Sequence, residues 1–234
     1  GANVASNSSA TVGGGAGNEA TGPYATIGGG FANIGSGSHS AIGGGSSNTV
    51  TGLYATVPGG TRAFATNEGA FVWSGVATVD TASTNTNSFT VRAPGGVRFL
   101  TTTATGGDDF LVGVILTNGA TAWASLSDSN SKTDFEPVKA REILAKIAAM
   151  PVTSWHYKHD LSRRYIGPMA QDFRAAFGLG SDDKTISTLD SDGVMYAAIQ
   201  GLVQELKDRD KMIDELKTKL ESVEQRLNSL PPVP

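Results

Sequence analysis

The sequence predicts two folds in one chain: a mainly β N-terminal half built from 15-residue repeats, and an α+β domain ending in a long coiled-coil helix. The first is indicated by an apolar residue that recurs every 15 positions among clustered glycines. The second is indicated by a heptad pattern of leucine and isoleucine near the C-terminus. The composition of the chain also changes between the two predicted folds. Lysine first occurs at Lys132, and the 30 glycines lie mostly in the first half.

The N-terminal repeat predicts a β-solenoid head over residues 1–74. Because the first residue is Gly1 rather than methionine, we expect the chain to be a piece of a longer protein with a further N-terminal region. A fixed short period with one β-branched anchor is typical of one solenoid coil per repeat, with the anchor stacked inside. A disordered Gly/Ser linker is the alternative, but a linker need not hold an apolar residue in register. The anchors are Val12, Ile27, Ile42, Val57 and Val72.

Residues 75–126 predict a β neck that interlocks with other copies of the chain. Alternating apolar residues flank two turn sequences, Pro94-Gly95-Gly96 and Asn118-Gly119, and so indicate two hairpins. The paired segments are 88–93 with 97–101, and 110–116 with 120–126.

Residues 127–198 predict a small α+β domain. Apolar residues at helical spacing follow Pro137, and Pro151 ends that pattern before an alternating strand. The predicted elements are a helix over 137–150, strands over 152–157 and 165–167, and a helix over 168–177.

Residues 199–234 predict a coiled-coil helix that begins after Asp190 or Asp192, either of which can cap it. A heptad sustained over more than four repeats is typical of a coiled coil. The core positions, interrupted at Arg209, are Ile199, Leu206, Ile213, Leu220 and Leu227, and Leu202, Leu216, Val223 and Leu230. The pattern does not fix the strand number, and the thin solenoid coils indicate lateral association with other copies of the chain.

Composition argues against several classes of function. The net charge of −4 gives no support for nucleic-acid binding, and no apolar stretch is long enough to span a membrane. We expect no cofactor and no metal: cysteine is absent, and His156 and His159 have no third ligand nearby in sequence. The acidic pairs Asp108-Asp109 and Asp182-Asp183 suit solvated loops better than calcium sites.

Ser127 and Lys132 are the candidate catalytic pair. A lysine that loses its proton can activate a serine hydroxyl, so a serine and a lysine five residues apart form a minimal nucleophile and base. Surface serines near a lysine are common, and the pair alone is a weak signal.

Two parts of the chain resemble known families. Ser40-Ala41-Ile42-Gly43-Gly44-Gly45 and its repeats resemble the β-roll heads of trimeric autotransporter adhesins and phage tail fibres, which implies a left-handed β-roll. Residues 127–234 resemble the intramolecular chaperone domain of phage endosialidases and other tail spikes. The matching motifs are Ser127-Asp128 with Lys132, Trp155-His156-Tyr157-Lys158, and Ile166-Gly167-Pro168-Met169-Ala170-Gln171-Asp172.

The second resemblance implies a homotrimer that cleaves itself once, as a single-turnover serine endopeptidase, between Leu126 and Ser127. Lys132 would be the general base. Asp128 would orient Lys132 or cap the turn, and Gln171 would donate to the oxyanion or lie buried against the backbone. Ser129 and Ser131 depart from the family, which commonly has a basic and a small or hydrophobic residue there.

The alternative function is a trimeric adhesin with a permanent trimerisation tail, whose head binds a host glycan or protein. Either function places the protein in a phage virion or on a bacterial cell surface. An ice-binding row formed by Thr11, Thr26 and Thr56 is disfavoured, because Ala41 and Phe71 interrupt it.

Overall fold

A computed structural model describes residues 1–101 and 112–229. The chain divides into two compact units, Gly1–Ser131 and Lys132–Pro234. The first is mainly β, and the second combines a hairpin with helices and ends in a long helix.

The first unit begins with a stack of coils, each of which gives one short strand to each of two sheets. The strands are β1 (Val4–Ala5), β2 (Thr11–Val12), β3 (Glu19–Ala20), β4 (Thr26–Ile27), β5 (Ile34–Gly35), β6 (Ala41–Ile42), β7 (Thr49–Val50), β8 (Thr56–Val57), β9 (Ala63–Ala65), β10 (Phe71–Ser74), β11 (Thr81–Ala82) and β12 (Phe89–Arg92).

The odd-numbered strands form one six-stranded sheet, in the order β1-β3-β5-β7-β9-β11, and the even-numbered strands form the other. Neighbouring strands are parallel and one repeat apart, so Val12 pairs with Ile27 and Ile27 with Ile42. This arrangement confirms the predicted solenoid-like stack. The even-numbered sheet continues through β12, beyond the predicted end of the repeat.

The solenoid core consists of one branched anchor per coil, with Val50 and several alanines around the anchors. The side chains of Ile27, Ile42, Val57 and Val72 are buried, as predicted, and Val12 packs partly buried against the same cluster. Alanines fill the remaining space, as close packing of a protein interior requires.

An asparagine ladder at one corner was missed by the sequence analysis, although Asn3, Asn18, Asn33 and Asn48 keep the same 15-residue period. The last three are fully buried. Asn33 Nδ2 donates to the carbonyls of Gly29 and Gly45 at 3.1 and 3.0 Å, and the N–H of Asn48 donates to Asn33 Oδ1 at 3.0 Å. The ladder satisfies corner carbonyls that would otherwise be buried unpaired.

The first predicted neck hairpin is wrong. The strand over 89–92 is β12, which pairs parallel with β10 as a further solenoid strand. The segment predicted to pair with it, 97–101, instead pairs antiparallel with the later strand over 113–116. The second predicted hairpin is confirmed for its described residues, while Phe110 and Leu111 lie outside them. The neck strands are β13 (Val97–Leu100), β14 (Gly113–Leu116) and β15 (Ala124–Ser125), in the order β13-β14-β15.

The second unit contains the predicted elements. They are α1 (Ala140–Ala149), β16 (Thr153–Tyr157), β17 (Asp160–Gly167), α2 (Ala170–Phe177) and α3 (Thr188–Asn228). The strands β16 and β17 form an antiparallel hairpin, and α1 packs against α3. Gly201 allows this packing, because a Cβ there would lie 2.4 Å from the carbonyl oxygen of Ala140.

The helix α3 begins two residues before Asp190, so the predicted start is wrong. Ser187 occupies the N-cap position, and Asp190 lies in the first turn. Aspartate is favoured both at the N-cap and in the first turn, where the helix dipole stabilises a carboxylate, so the sequence alone does not distinguish the two positions. Within the described residues, no helix has both the length and the apolar character needed to cross a bilayer.

Candidate functional site

The predicted scissile bond follows the last strand of the first unit. The N–H of Leu126 donates to the carbonyl of Gly113 at 3.2 Å, which continues the β14–β15 pairing by one residue. Leu126 is half-buried and Ser127 is exposed. The peptide bond between them therefore joins an anchored residue to an accessible one.

Asp128 organises the turn that follows. Its Oδ1 accepts from the N–H of Asn130 at 2.9 Å and from Asn130 Nδ2 at 3.1 Å, and a short 3-10 helix spans Ser129–Ser131. This is the capping arrangement considered for Asp128 from the sequence. A role of Asp128 in orienting Lys132 remains a prediction.

The division between the two units falls between Ser131 and Lys132. The proposed nucleophile Ser127 therefore belongs to the first unit, whereas the proposed base Lys132 and Gln171 belong to the second. The pairing of Ser127 with Lys132 remains a prediction from the sequence.

Gln171 is the second residue of α2, and its side chain is exposed. The alternative of a buried glutamine that satisfies the backbone is therefore wrong. Gln171 lines an open cavity of about 370 Å³. The other lining residues are Trp155, Tyr157, Pro168, Met169, Ala170, Lys184 and Ile186. The cavity thus joins two of the sequence motifs, because Trp155 and Tyr157 come from one and Pro168 to Gln171 from the other.

Lys184 was not singled out from the sequence, yet it lies on this cavity. Asp182 Oδ1 accepts from the N–H groups of Lys184 and Thr185, each at 2.8 Å, and from Thr185 Oγ1 at 2.9 Å. These hydrogen bonds, led by the one from the Lys184 N–H, lower the pKa of Asp182. The carboxylate thereby fixes the loop that carries Lys184. The sequence signal for this role was the Asp182-Asp183 pair, which the structure places in an exposed loop as predicted.

Aromatic rings organise the β16–β17 hairpin. Trp155 stacks on Tyr165 with ring centroids 4.9 Å apart, and Tyr157 meets both rings edge-on. His156 Nδ1 lies 3.1 Å from the carbonyl oxygen of Arg163. The indole N–H of Trp155 is buried and has no acceptor among the described residues.

No group of three or more His, Cys, Asp or Glu that could hold a metal ion occurs in residues 1–101 and 112–229. Asp108 and Asp109 lie outside the described residues.

The helix α3 presents a long apolar stripe to solvent. Its heptad residues are all about half exposed or more, from 47% at Ile213 to 65% at Leu227. Met195, one heptad before Leu202, and the adjacent Tyr196 extend the exposed apolar surface toward the start of the helix. Leu230 lies outside the described residues.

A family model described as "chaperone of endosialidase" matches residues 127–178, beginning at Ser127. No curated protein matches the chain. The matched segment contains Ser127, Lys132 and Gln171, and the hairpin motif lies within it. The C-terminal part of this chain is therefore similar to a chaperone-type domain, and together with the solenoid-like stack it fits a tail-fibre-like protein.

Proposed function

We propose that the C-terminal domain is an intramolecular chaperone that assembles three copies of a fibre protein and then releases itself by cleavage between Leu126 and Ser127. The protein would act in a phage tail or on a bacterial surface. The observation that carries this proposal is the match to a chaperone family that begins at Ser127, the predicted first residue after the cut.

The exposed stripe of α3 supports the assembly role. A helix with apolar residues at both heptad core positions is stabilised by burying them against other helices. The second unit also has few buried side chains, and Ile166 on its hairpin is 78% exposed. Two further copies of the chain would cover these surfaces.

Alignment by α3 would precede folding of the head. Parallel coils and neck strands that associate between chains have many contacts distant in sequence, and such contacts form slowly. A coiled coil raises the local concentration of the three chains and sets their register. Removal of the domain after folding would leave a fibre whose unfolding is kinetically hindered, because the device that aligned the chains is gone.

Cleavage would proceed by transfer of an acyl group within the chain. Ser127 Oγ attacks the carbonyl carbon of Leu126 while Lys132 Nζ takes the hydroxyl proton. Gln171 is proposed to donate a hydrogen bond to the developing oxyanion. The C–N bond then breaks, the amine of Ser127 receives the proton, and the resulting ester between Leu126 and Ser127 Oγ is hydrolysed by water.

The test compares the wild-type chain with Ser127→Ala, Lys132→Ala and the matched control Ser129→Ala. We expect the wild type and Ser129→Ala to split with a new N-terminus at Ser127. Ser127→Ala should stay full length, and Lys132→Ala should split at least about 100-fold more slowly, since a general base contributes that much. Denaturing gels and intact mass spectrometry measure the split.

Equal splitting of all four proteins would contradict the proposed pair. A wild-type chain that stays full length while trimeric would instead support the alternative of an adhesin with a permanent trimerisation tail.

A further inference from the structure

The apolar stripe of α3 is broken by one charge. Arg209 lies between Leu202 and Leu216 in the second series of heptad core positions, and the other described members of that series are apolar. Its side chain is exposed, like those of its neighbours in the stripe. A charged residue at a single core position weakens a coiled coil, and its best-attested use is to fix the alignment of the helices. Arg209 therefore needs a carboxylate close to the axis of the coil.

The ion pairs within one chain leave Arg209 without such a carboxylate. Residues three or four positions apart are neighbours on a helix, and at those distances from Arg209 only Glu205 is acidic. Glu205 Oε1 instead lies 3.6 Å from Nε of Arg141 in α1, and Arg141 also forms an ion pair with Asp208. In residues 1–101 and 112–229, neither Arg209 nor Asp210 takes part in an ion pair. Both charges are therefore available to another copy of the chain.

The heptad places Asp210 of a neighbouring copy beside Arg209. With Leu206 and Ile213 at the first core position (a), Arg209 is at the second (d), Asp210 follows at e, and Glu205 precedes Leu206 at g. In a parallel coil without offset, the e residue of one helix flanks the d residue of the next, and e and g residues meet across the interface. Glu205 and Asp210 would repel each other there, and the guanidinium of Arg209 offsets that repulsion.

An offset of one heptad removes this pairing. A shift in one direction brings Val203 to the place of Asp210, which leaves the guanidinium without a carboxylate. A shift in the other direction brings Lys217 there, and its ammonium group repels the guanidinium. The apolar core residues do not distinguish these alignments, because leucine, isoleucine or valine recurs in each heptad. The single charge therefore favours one alignment over the other two.

We propose that Arg209 sets the register of the assembled chains through an ion pair with Asp210 of a second copy. The partner is thus another copy of this chain, parallel and without offset. The inference rests on the proposed assembly of three chains, but not on their cleavage. A register fixed in α3 would bring equivalent residues of the copies to the same level, as joint folding of a repetitive head requires.

Disulfide cross-linking measures the register, since the chain has no cysteine of its own. Two chains are co-expressed, one with Leu216→Cys and one with Val223→Cys, and both carry Ser127→Ala so that cleavage does not affect the result. In an aligned coil these two positions are about 10 Å apart along the axis, which a disulfide cannot bridge. With Arg209 present, we therefore expect cross-links between like chains only. Arg209→Leu should add cross-links between unlike chains, whereas Lys211→Leu, the matched control on the outer face, should not.

Charge reversal tests the partner of Arg209. Arg209→Glu should raise the dissociation constant of the trimer at least about 100-fold, because it adds a carboxylate beside Glu205 and Asp210. Adding Asp210→Lys should recover at least about tenfold, and because adjacent residues do not face each other on a helix, this recovery reports a contact between chains. Adding Glu221→Lys reverses the same charge on the outer face and should recover nothing. Analytical ultracentrifugation measures the dissociation constants.

Three outcomes would overturn the role of Arg209 while leaving the proposed assembly intact. They are cross-links between unlike chains with Arg209 in place, a cross-linking pattern of Arg209→Leu equal to that of wild type, and equal recovery by Asp210→Lys and Glu221→Lys. A wild-type chain that stays monomeric in the ultracentrifuge would overturn both the role of Arg209 and the proposed assembly.

Discussion

Three buried asparagines form hydrogen bonds that apolar residues at the same corner of the solenoid could not form. Each Asn side chain pairs with carbonyls of its own coil and of the next coil, and accepts a backbone N–H from the next coil. A narrow solenoid buries little apolar surface, so its burial cannot offset the free-energy cost of unpaired carbonyls. We therefore expect these hydrogen bonds to contribute substantially to the stability of the solenoid.

Asn33→Ala should destabilise the solenoid by about 2–4 kcal/mol, because it leaves several buried backbone groups of the corner without partners. Denaturant unfolding followed by circular dichroism measures the loss. The exposed Ser36→Ala in the same coil is the control and should change stability by less than about 0.5 kcal/mol. Equal stability of the two variants would show that the ladder is dispensable.

Two adjacent glycines give a second contrast at the residue scale. Gly45 has φ 88°, and a Cβ there would lie 2.0 Å from the carbonyl oxygen of Gly60 in the next coil, whereas a Cβ at Gly44 meets nothing within 4 Å. Gly45→Ala should therefore cost more than about 3 kcal/mol, while Gly44→Ala should change stability by no more than about 1 kcal/mol. The same unfolding measurement checks both, and a mild effect of Gly45→Ala would contradict the close approach of the coils.

At the scale of elements, the periodicity of apolar residues located helices and strands correctly, whereas local alternation did not identify which strands pair. The 15-residue period located the solenoid anchors, and helical spacing located α1, α2 and α3. The segment around Phe89 alternates as a hairpin strand does, yet β12 pairs with β10, because a strand in a solenoid coil has the same local pattern as a strand in a hairpin. Only the partner strand distinguishes the two.

The candidate site was predictable to a similar degree. Ser127, Asp128 and Lys132 follow from sequence because they are close together in the chain, and Gln171 follows from a motif. Lys184 joins the Gln171 cavity from a distant loop, and no short-range pattern could have indicated it. Of the two alternatives for Gln171, the buried one is wrong because this residue is exposed and lines an open cavity.

The exposed apolar stripe of α3 predicts how substitutions in this helix affect assembly. Leu220→Asp places a charge at a heptad core position, where burial would cost several kcal/mol, so we expect the dissociation constant of the proposed trimer to rise at least about 100-fold. Thr218→Asp adds the same charge two residues away, on the outer face, and should leave assembly intact. Analytical ultracentrifugation measures both, and a Leu220→Asp trimer as stable as wild type would contradict the coiled coil.

At the scale of the whole molecule, the two units differ in how much of their stability can come from contacts within one chain. The solenoid is stabilised coil by coil, since each coil contacts only the next ones. The second unit buries few side chains within one chain and leaves apolar residues on its hairpin and long helix exposed. This exposure supports the proposed role of the second unit in assembly.

The parallel ladder of the coils has a mechanical consequence. Its backbone hydrogen bonds link one coil to the next. Tension applied between residues 1 and 92 should therefore unfold the solenoid one coil at a time. Each detached turn would release about 50 Å of contour length, given about 3.4 Å per extended residue and a repeat of 15. Optical-tweezers traces should show a regular sawtooth with that spacing, and one abrupt rip would be incompatible with it. A fibre built in this way yields gradually under load and can rewind when the load falls.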